Sequence, residues 1–140
     1  MKILVLEGPN LNLIGVKSAG DGQKITLDKI NKGLRLHIKN TDAELKIFQT
    51  HKVYMAISFL QRNRNSSSGI LIAPTSWSKY EYSLLETIQL IQIPFVQVLL
   101  DKNNDNKESI FSVDAIETVY DKNPLYSFTS GLTALINHLT

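Results

Sequence analysis

Ile3-Leu4-Val5-Leu6 and, one residue later, Gly8-Pro9-Asn10-Leu11-Asn12 decide the fold that this sequence predicts. The apolar run indicates a strand at residues 2–7 that is covered on both faces of a parallel sheet. Glycine permits a sharp turn and proline fixes φ, so the chain turns where the strand ends. Asn10 and Asn12 then place amide groups at the carboxyl end of the strand, where open α/β sheets bind ligands. The turn is therefore the first candidate part of a binding site.

Apolar runs and helical periodicities alternate along the rest of the chain. Further strands are predicted at residues 43–49, 69–73, 94–100 and 115–120. Helices are predicted to begin at Thr26, at Thr50, near Lys79 behind a Ser78–Glu81 capping box, and at Ser127 or Thr129. Residues 13–25 and 101–109 are predicted loops. This alternation predicts an α/β fold, a flavodoxin-like doubly wound five-stranded parallel sheet of order 2-1-3-4-5 with helices on both faces.

The predicted strand order also locates a crevice. Strand order reverses between strands one and three, and ligands of open α/β sheets bind at such a switch point. Right-handed crossovers place the turns after strands one, three and four at the same edge of the sheet. We therefore expect Gly8–Asn12 to face Ala73–Ser78 across a crevice, with Leu99–Asp101 beside it.

Composition excludes several classes of function. The chain has 140 residues and is predicted to form one domain over residues 1–140. A formal net charge of +2, without a basic block, disfavours a nucleic-acid partner. There is no cysteine, which excludes disulfides, a thiol nucleophile and a zinc–thiolate site and fits the cytoplasm. The sequence predicts no membrane partner, because it has no long apolar run and no recognisable targeting segment.

The motif Gly8-Pro9-Asn10-Leu11-Asn12-Leu13-Ile14-Gly15 resembles the opening of type II 3-dehydroquinate dehydratases. Later features follow in the order found in that family: Thr26-Leu27, Phe48-Gln49, Ile72-Ala73-Pro74 and Pro94. The resemblance implies a flavodoxin-like subunit that assembles as a homo-oligomer, a trimer or a dodecamer of trimers. It implies reversible dehydration of 3-dehydroquinate to 3-dehydroshikimate in the shikimate pathway, with no metal and no cofactor.

The family mechanism that the resemblance implies needs a base, an enolate stabiliser and an acid. A lid tyrosinate beside an arginine removes a proton α to the ketone, an asparagine-bound water stabilises the enolate, and a histidine protonates the leaving hydroxyl. In this chain the asparagine is present as Asn10, and the arginine position holds Lys17. The tyrosine position holds Gly22 and the histidine position holds Leu99. Asn10 and Lys17 are therefore the catalytic candidates.

The substrate-binding positions of the family are also altered. The amide after strand three is replaced by Ala73, and a histidine further on is replaced by Lys79. Asp101 stands at a serine that lies beside the substrate carboxylate, which it would repel unless protonated or paired. An acidic residue of the third helix is kept as Glu86. The candidate substrate-binding residues are Asn12, Thr75, Ser76, Lys79, Glu86, Leu100 and Asp101.

These substitutions predict little or no dehydratase activity. The alternative is a non-catalytic structural or regulatory paralogue, or a binder of small anions such as carboxylates at the turn Thr75-Ser76-Trp77-Ser78. Asn10 and Asn12 fit two roles equally well: they could bind a ligand, or they could form hydrogen bonds to the backbone of the tight turn itself. A nucleotide or flavin site is disfavoured because no glycine-rich phosphate motif is present. The scattered positions of His37, His51 and His138 predict no metal site.

Overall fold

Five parallel strands form one sheet in the order β2-β1-β3-β4-β5, as the sequence predicts. The structure is a computed structural model that describes residues 1–20, 22, 24–101 and 109–140. The strands are β1 Lys2–Glu7, β2 Glu44–Gln49, β3 Gly69–Ala73, β4 Phe95–Leu99 and β5 Glu117–Tyr120. The flavodoxin-like fold is thereby confirmed; β1 and β3 have the predicted bounds, and the ends of the other strands lie within two residues of the predicted ones.

In the residues that the structure describes, five helices cover the two faces of the sheet. They are α1 Ile14–Ala19, α2 Leu27–His37, α3 Val53–Asn63, α4 Tyr82–Ile91 and α5 Pro124–Leu139. Short 3-10 turns occupy Leu11–Leu13, Arg64–Ser66 and Thr75–Ser78. Helices α2 and α5 contribute to one buried cluster, and helices α3 and α4 contribute to the other. In the described part of the chain, no helix is long and apolar enough to cross a bilayer.

Strand β1 is central because both of its faces are buried. Ile3 and Val5 pack in the cluster beneath α2 and α5, whereas Leu4 and Leu6 pack in the cluster beneath α3 and α4. All four side chains have 0% exposure. Successive strand residues point to opposite faces, so a strand covered on both sides needs an unbroken apolar run.

The start of α2 is confirmed in detail. Thr26 is its N-cap, and the Thr26 hydroxyl accepts a hydrogen bond from the backbone N–H of Lys29 at 3.2 Å. Asp28 lies in the first turn, where the helix dipole favours an acidic side chain. Ile30 and Leu34 of this helix are fully buried.

The predicted starts of three helices are wrong. Helix α3 follows Lys52 rather than Thr50, whose hydroxyl instead accepts from the Lys52 N–H at 3.1 Å. The third predicted helix, α4, begins at Tyr82 and not near Lys79, because the preceding residues form a 3-10 turn and Ser78 makes no cap. Asn123 caps α5 through a 2.9 Å bond from the Leu125 N–H. Ser127 and Thr129 therefore lie inside α5, and Pro124 supplies the favoured first residue.

One further expectation is corrected by burial. The predicted loop 13–25 contains helix α1, because Leu11 and Ile14 pack into the core. In helix α3, Phe59 and Leu60 lie on the buried face, whereas Tyr54 is 63% exposed. Most of the predicted loop 101–109 lies outside the described residues.

The turn after β1 packs directly against the turn after β3. The Gly8 N–H donates to the Ala73 carbonyl at 2.9 Å, and the Thr75 hydroxyl donates to the Pro9 carbonyl at 2.9 Å. A Cβ atom on Gly8 would lie 2.5 Å from the Pro74 carbonyl oxygen, closer than real Cβ atoms approach. Glycine at position 8 therefore sets the distance between the two turns.

Substituting Gly8→Ala should destabilise the protein by at least ~2 kcal/mol, because backbone on both sides of the contact must move. Gly20→Ala is the matched control: its Cβ would meet nothing nearer than the Lys17 carbonyl at 3.4 Å. The control should change the free energy of unfolding by no more than about 1 kcal/mol. Urea denaturation measures both variants, and equal stabilities for the two would refute the close contact.

Candidate functional site

A crevice opens where β1, β3 and β4 end, between the turn 8–12 and the turn 74–78. It consists of two adjoining hollows of about 370 Å³ and 250 Å³. The larger is lined by Pro9, Asn10, Leu11, Leu13, Ile14, Val16, Lys17, Thr75, Ser76 and Leu100. The smaller is lined by Lys17, Thr75, Ser76, Lys79, Val98, Leu99, Leu100 and Asp101. Four residues belong to both hollows, so they form one continuous crevice.

Asn10 is held in an unusual backbone conformation at the mouth of the crevice. Its φ of 68° lies in the left-handed region, which asparagine tolerates better than most residues. The Asn10 carbonyl accepts from the Leu13 N–H at 2.9 Å, which closes the 3-10 turn. The Asn10 N–H donates to Nδ1 of His51 at 3.2 Å. Both backbone polar groups of Asn10 are thus engaged.

His51 is a residue of this site that the sequence interpretation missed. It follows β2, and β2 pairs with β1, so the ends of both strands meet at one edge of the sheet. In this contact Nδ1 of His51 acts as a hydrogen-bond acceptor for the backbone of the turn after β1. The signal was available in the predicted strand order, since a polar residue directly after strand two lies beside the turn after strand one.

Thr75 faces Asn10 across the crevice and is also strained. Its φ of 49° is left-handed, which is a genuine outlier for a β-branched residue. The bond from its hydroxyl to the Pro9 carbonyl helps to hold this conformation. Residues kept in sparsely populated backbone conformations concentrate at ligand-binding sites. Two such residues at one crevice support its assignment as the functional site.

An ion pair spans the crevice between α1 and the end of β4. Lys17 Nζ lies 3.7 Å from Asp101 Oδ2, with the two side chains 60% and 42% exposed. Solvent screens a pair this exposed, so its contribution to stability is small. Its importance lies in the charge of the site: Lys17 offsets the Asp101 carboxylate that would otherwise repel an anionic ligand.

Similarity to known proteins decides the family. The family model Dehydroquinase class II matches residues 1–135. This chain belongs to the class II dehydroquinase family. It is 29% identical over 140 residues to a 3-dehydroquinate dehydratase of Clostridium botulinum, covering 98% of this chain and 95% of the relative. It is 30% identical over 142 residues to a 3-dehydroquinate dehydratase of Carboxydothermus hydrogenoformans, covering 99% and 92%.

A solved structure supports the same fold. The type II dehydroquinase of Butyrivibrio crossotus superposes with a TM-score of 0.84 at 21% identity. The match covers 99% of this chain and 97% of that structure. The class II dehydroquinase fold is therefore present over nearly the whole length.

The sequence resemblance places the family's base at Gly22, its acid at Leu99 and its substrate-binding amide at Ala73, and none of these three residues has a titratable side chain. Leu99, at the acid position, lines the smaller hollow and is 6% exposed. Ala73, at the position of the substrate-binding amide, is fully buried. Gly22, at the base position, lines a different cavity of about 520 Å³ beside Asn123 and Tyr126. No tyrosine or histidine is among the described residues that line the crevice hollows.

The crevice brings together most of the sequence-predicted site residues. Asn12 and Glu86 are exposed, on the 3-10 turn and on α4, and neither is among the described residues lining the two hollows. Within the described ranges, no group of three or more acidic or histidine side chains could hold a metal ion. The predicted residues that do line the crevice are Asn10, Lys17, Thr75, Ser76, Lys79, Leu100 and Asp101.

Glu7 is a buried acid directly before the turn. It has 0% exposure, and neither carboxyl oxygen makes a hydrogen bond within the described part of the chain. Burial raises the pKa of Glu7 to about 8, and the nearby Asn31 and Arg35 of α2 oppose that rise only partly. The carboxyl is thus protonated in the folded protein at neutral pH. In the unfolded chain it ionises with its ordinary pKa of 4.5.

Raising the pH from about 4.5 to about 8 should therefore destabilise the protein through Glu7. The unfolded state loses the Glu7 proton across this window while the folded state keeps it, which costs up to about 5 kcal/mol. Glu7→Gln should remove this part of the pH dependence, whereas Glu86→Gln, at an exposed site on α4, should leave it intact. Unfolding free energies at pH 5 and pH 8 test this; identical pH slopes for wild type and Glu7→Gln would contradict it.

Proposed function

We propose that this chain binds a small carboxylate in the crevice and dehydrates 3-dehydroquinate slowly or not at all. The observation that carries the proposal is Leu99 in the wall of the crevice at the acid position, with no tyrosine among the described lining residues. Asn10 and Lys17 are the family-type catalytic groups that remain, and both line the crevice. We assign ligand contact to the lining residues Thr75, Ser76, Lys79, Leu100 and Asp101, and expect Asn12 and Glu86 to contribute less directly.

The chemistry explains why these losses matter. Dehydration requires a base for the α-proton, a donor for the enolate and an acid for the leaving hydroxyl. Asn10 supplies an amide suited to hold a water near the enolate oxygen, and Lys17 supplies positive charge. A leucine side chain cannot donate a proton. General acid and general base groups are each worth roughly 10²–10⁴ in rate, so losing both removes most of the acceleration.

The proposal is tested by following 3-dehydroshikimate formation through its ultraviolet absorbance. The Clostridium botulinum relative, assayed beside it, is the positive control. We expect kcat/KM to be at least ~10³-fold lower for this chain, because base and acid are both missing. Turnover within about tenfold of the relative would refute the loss of activity.

The second candidate is a structural or regulatory paralogue without a ligand, or a binder of small anions in general. Ser76 and Lys79 favour the anion binder. Both residues are exposed, and both line the smaller hollow beside the strained Thr75. A thermal-shift series with shikimate, quinate and inorganic phosphate separates these cases, because a ligand of the native state raises the melting temperature.

We further propose a cytoplasmic homo-oligomer, a trimer or a dodecamer. The family resemblance implies this assembly, and large apolar side chains remain uncovered in the single chain. Leu90 is 74% exposed, Tyr80 is 69% exposed and Tyr82 is 63% exposed. The lack of cysteine fits a reducing compartment.

A further inference from the structure

The crevice is divided into an apolar part and a charged part. Six of the ten residues that line the larger hollow have apolar side chains. Two of them, Leu13 and Val16, are 54% and 74% exposed, so a ligand could cover apolar surface that now faces solvent. The volume of about 370 Å³ exceeds the ~150 Å³ that accommodates one benzene ring in a protein cavity. The apolar lining consists of Pro9, Leu11, Leu13, Ile14, Val16 and Leu100.

The charged part lies in the smaller hollow. Lys17 and Lys79 bring two ammonium groups, and Asp101 brings one carboxylate that pairs with Lys17. The described lining residues of the smaller hollow thus carry two positive charges and one negative charge, which favours a ligand with a single negative charge. The Thr75 hydroxyl donates to the Pro9 carbonyl, so its proton is not available to an anion. Lys79, Lys17 and Ser76 are therefore the groups that face an anionic ligand with donors.

A polyhydroxylated ring fits this division poorly. Its hydroxyl groups would lie against leucine, isoleucine and valine side chains and would lose their hydrogen bonds to water without replacement. A ring or chain without hydroxyls would lose nothing there and would cover exposed apolar surface. The position of Leu99 and Leu100 beside the charged groups extends this apolar wall to the site of the family's acid.

We propose that the crevice binds a monocarboxylic acid with an apolar ring or chain, in preference to a polyhydroxylated ring acid. The carboxylate lies between Lys79 and Lys17, near Ser76, and the apolar body lies against Leu13, Val16 and Leu100. This inference rests on the proposed function, since it specifies the class of carboxylate that the same crevice takes.

Two ligands test this inference directly: cyclohexenecarboxylate and shikimate, which has the same ring and carboxylate with hydroxyl groups added. Isothermal titration calorimetry with the full-length protein should give an affinity at least ~10-fold higher for cyclohexenecarboxylate, because shikimate leaves hydroxyls unpaired. Cyclohexenecarboxamide, which lacks the charge, should bind at least ~10-fold more weakly than the acid. Amide chemical shifts of Gly8, of residues 10–12 and of residues 75–76 should report where the acid binds.

Matched variants separate the two parts of the crevice. Threonine has nearly the same shape as valine, and position 16 is exposed. Val16→Thr should therefore lower the affinity for cyclohexenecarboxylate roughly 3-fold and leave the affinity for shikimate unchanged. Val113→Thr makes the same change at an exposed residue outside the lining and should affect neither ligand. Lys79→Met should lower the affinity of the protein for both acids, because it removes an ammonium group from the charged part of the crevice.

The outcomes distinguish this inference from the proposed function. Shikimate binding as tightly as cyclohexenecarboxylate would overturn the inference and leave a carboxylate site in place. Equal losses of affinity for cyclohexenecarboxylate in Val16→Thr and Val113→Thr would overturn it as well, because the apolar body of the ligand would then not contact the crevice wall. If neither acid binds, both the inference and the carboxylate-binding function fail.

Discussion

The contact between Gly8 and the backbone of Pro74 is the constraint on which the rest of the site depends. It holds the turns after two paired strands together through the Gly8 bond to Ala73 and the Thr75 bond to Pro9. Any side chain at position 8 would separate them. Because the turns meet here, Asn10 and Thr75 face each other and form the floor of the crevice. Helix α1 and the end of β4 form its remaining walls.

Fold and chemistry are carried by different residues in this protein, which is why one can persist without the other. The sheet is stabilised by apolar side chains on both faces of β1 and by the helices that cover them. None of those contacts requires a base or an acid in the crevice. Leu99 lies in the wall of the crevice and is largely buried, so an apolar side chain at this position is compatible with stable packing. Glu7 is the exception inside the core, because burial of its carboxyl makes the stability of the fold depend on pH.

The sequence was sufficient to predict the sheet order, the switch point and the meeting of Asn10 with Thr75. Those features follow from unbroken apolar strands and from turn residues at their ends. Helix α1 was missed because the burial of Leu11 and Ile14 stabilises it, and a six-residue helix has little periodicity. The start of α5 was misplaced because Asn123 and Pro124 competed with two hydroxyl residues for the cap. His51 was missed because its role is a single contact across neighbouring strands.

We propose that the crevice persists while proton transfer at it has been lost. Proton NMR of 3-dehydroquinate in deuterated water, with the protein in excess, tests the base step by itself. The signal of the proton α to the ketone should decay at least ~10²-fold more slowly than with the Clostridium botulinum relative under the same conditions, because the base is missing. Loss of that signal at a rate within about tenfold of the relative's, with or without formation of 3-dehydroshikimate, would contradict the loss of proton transfer.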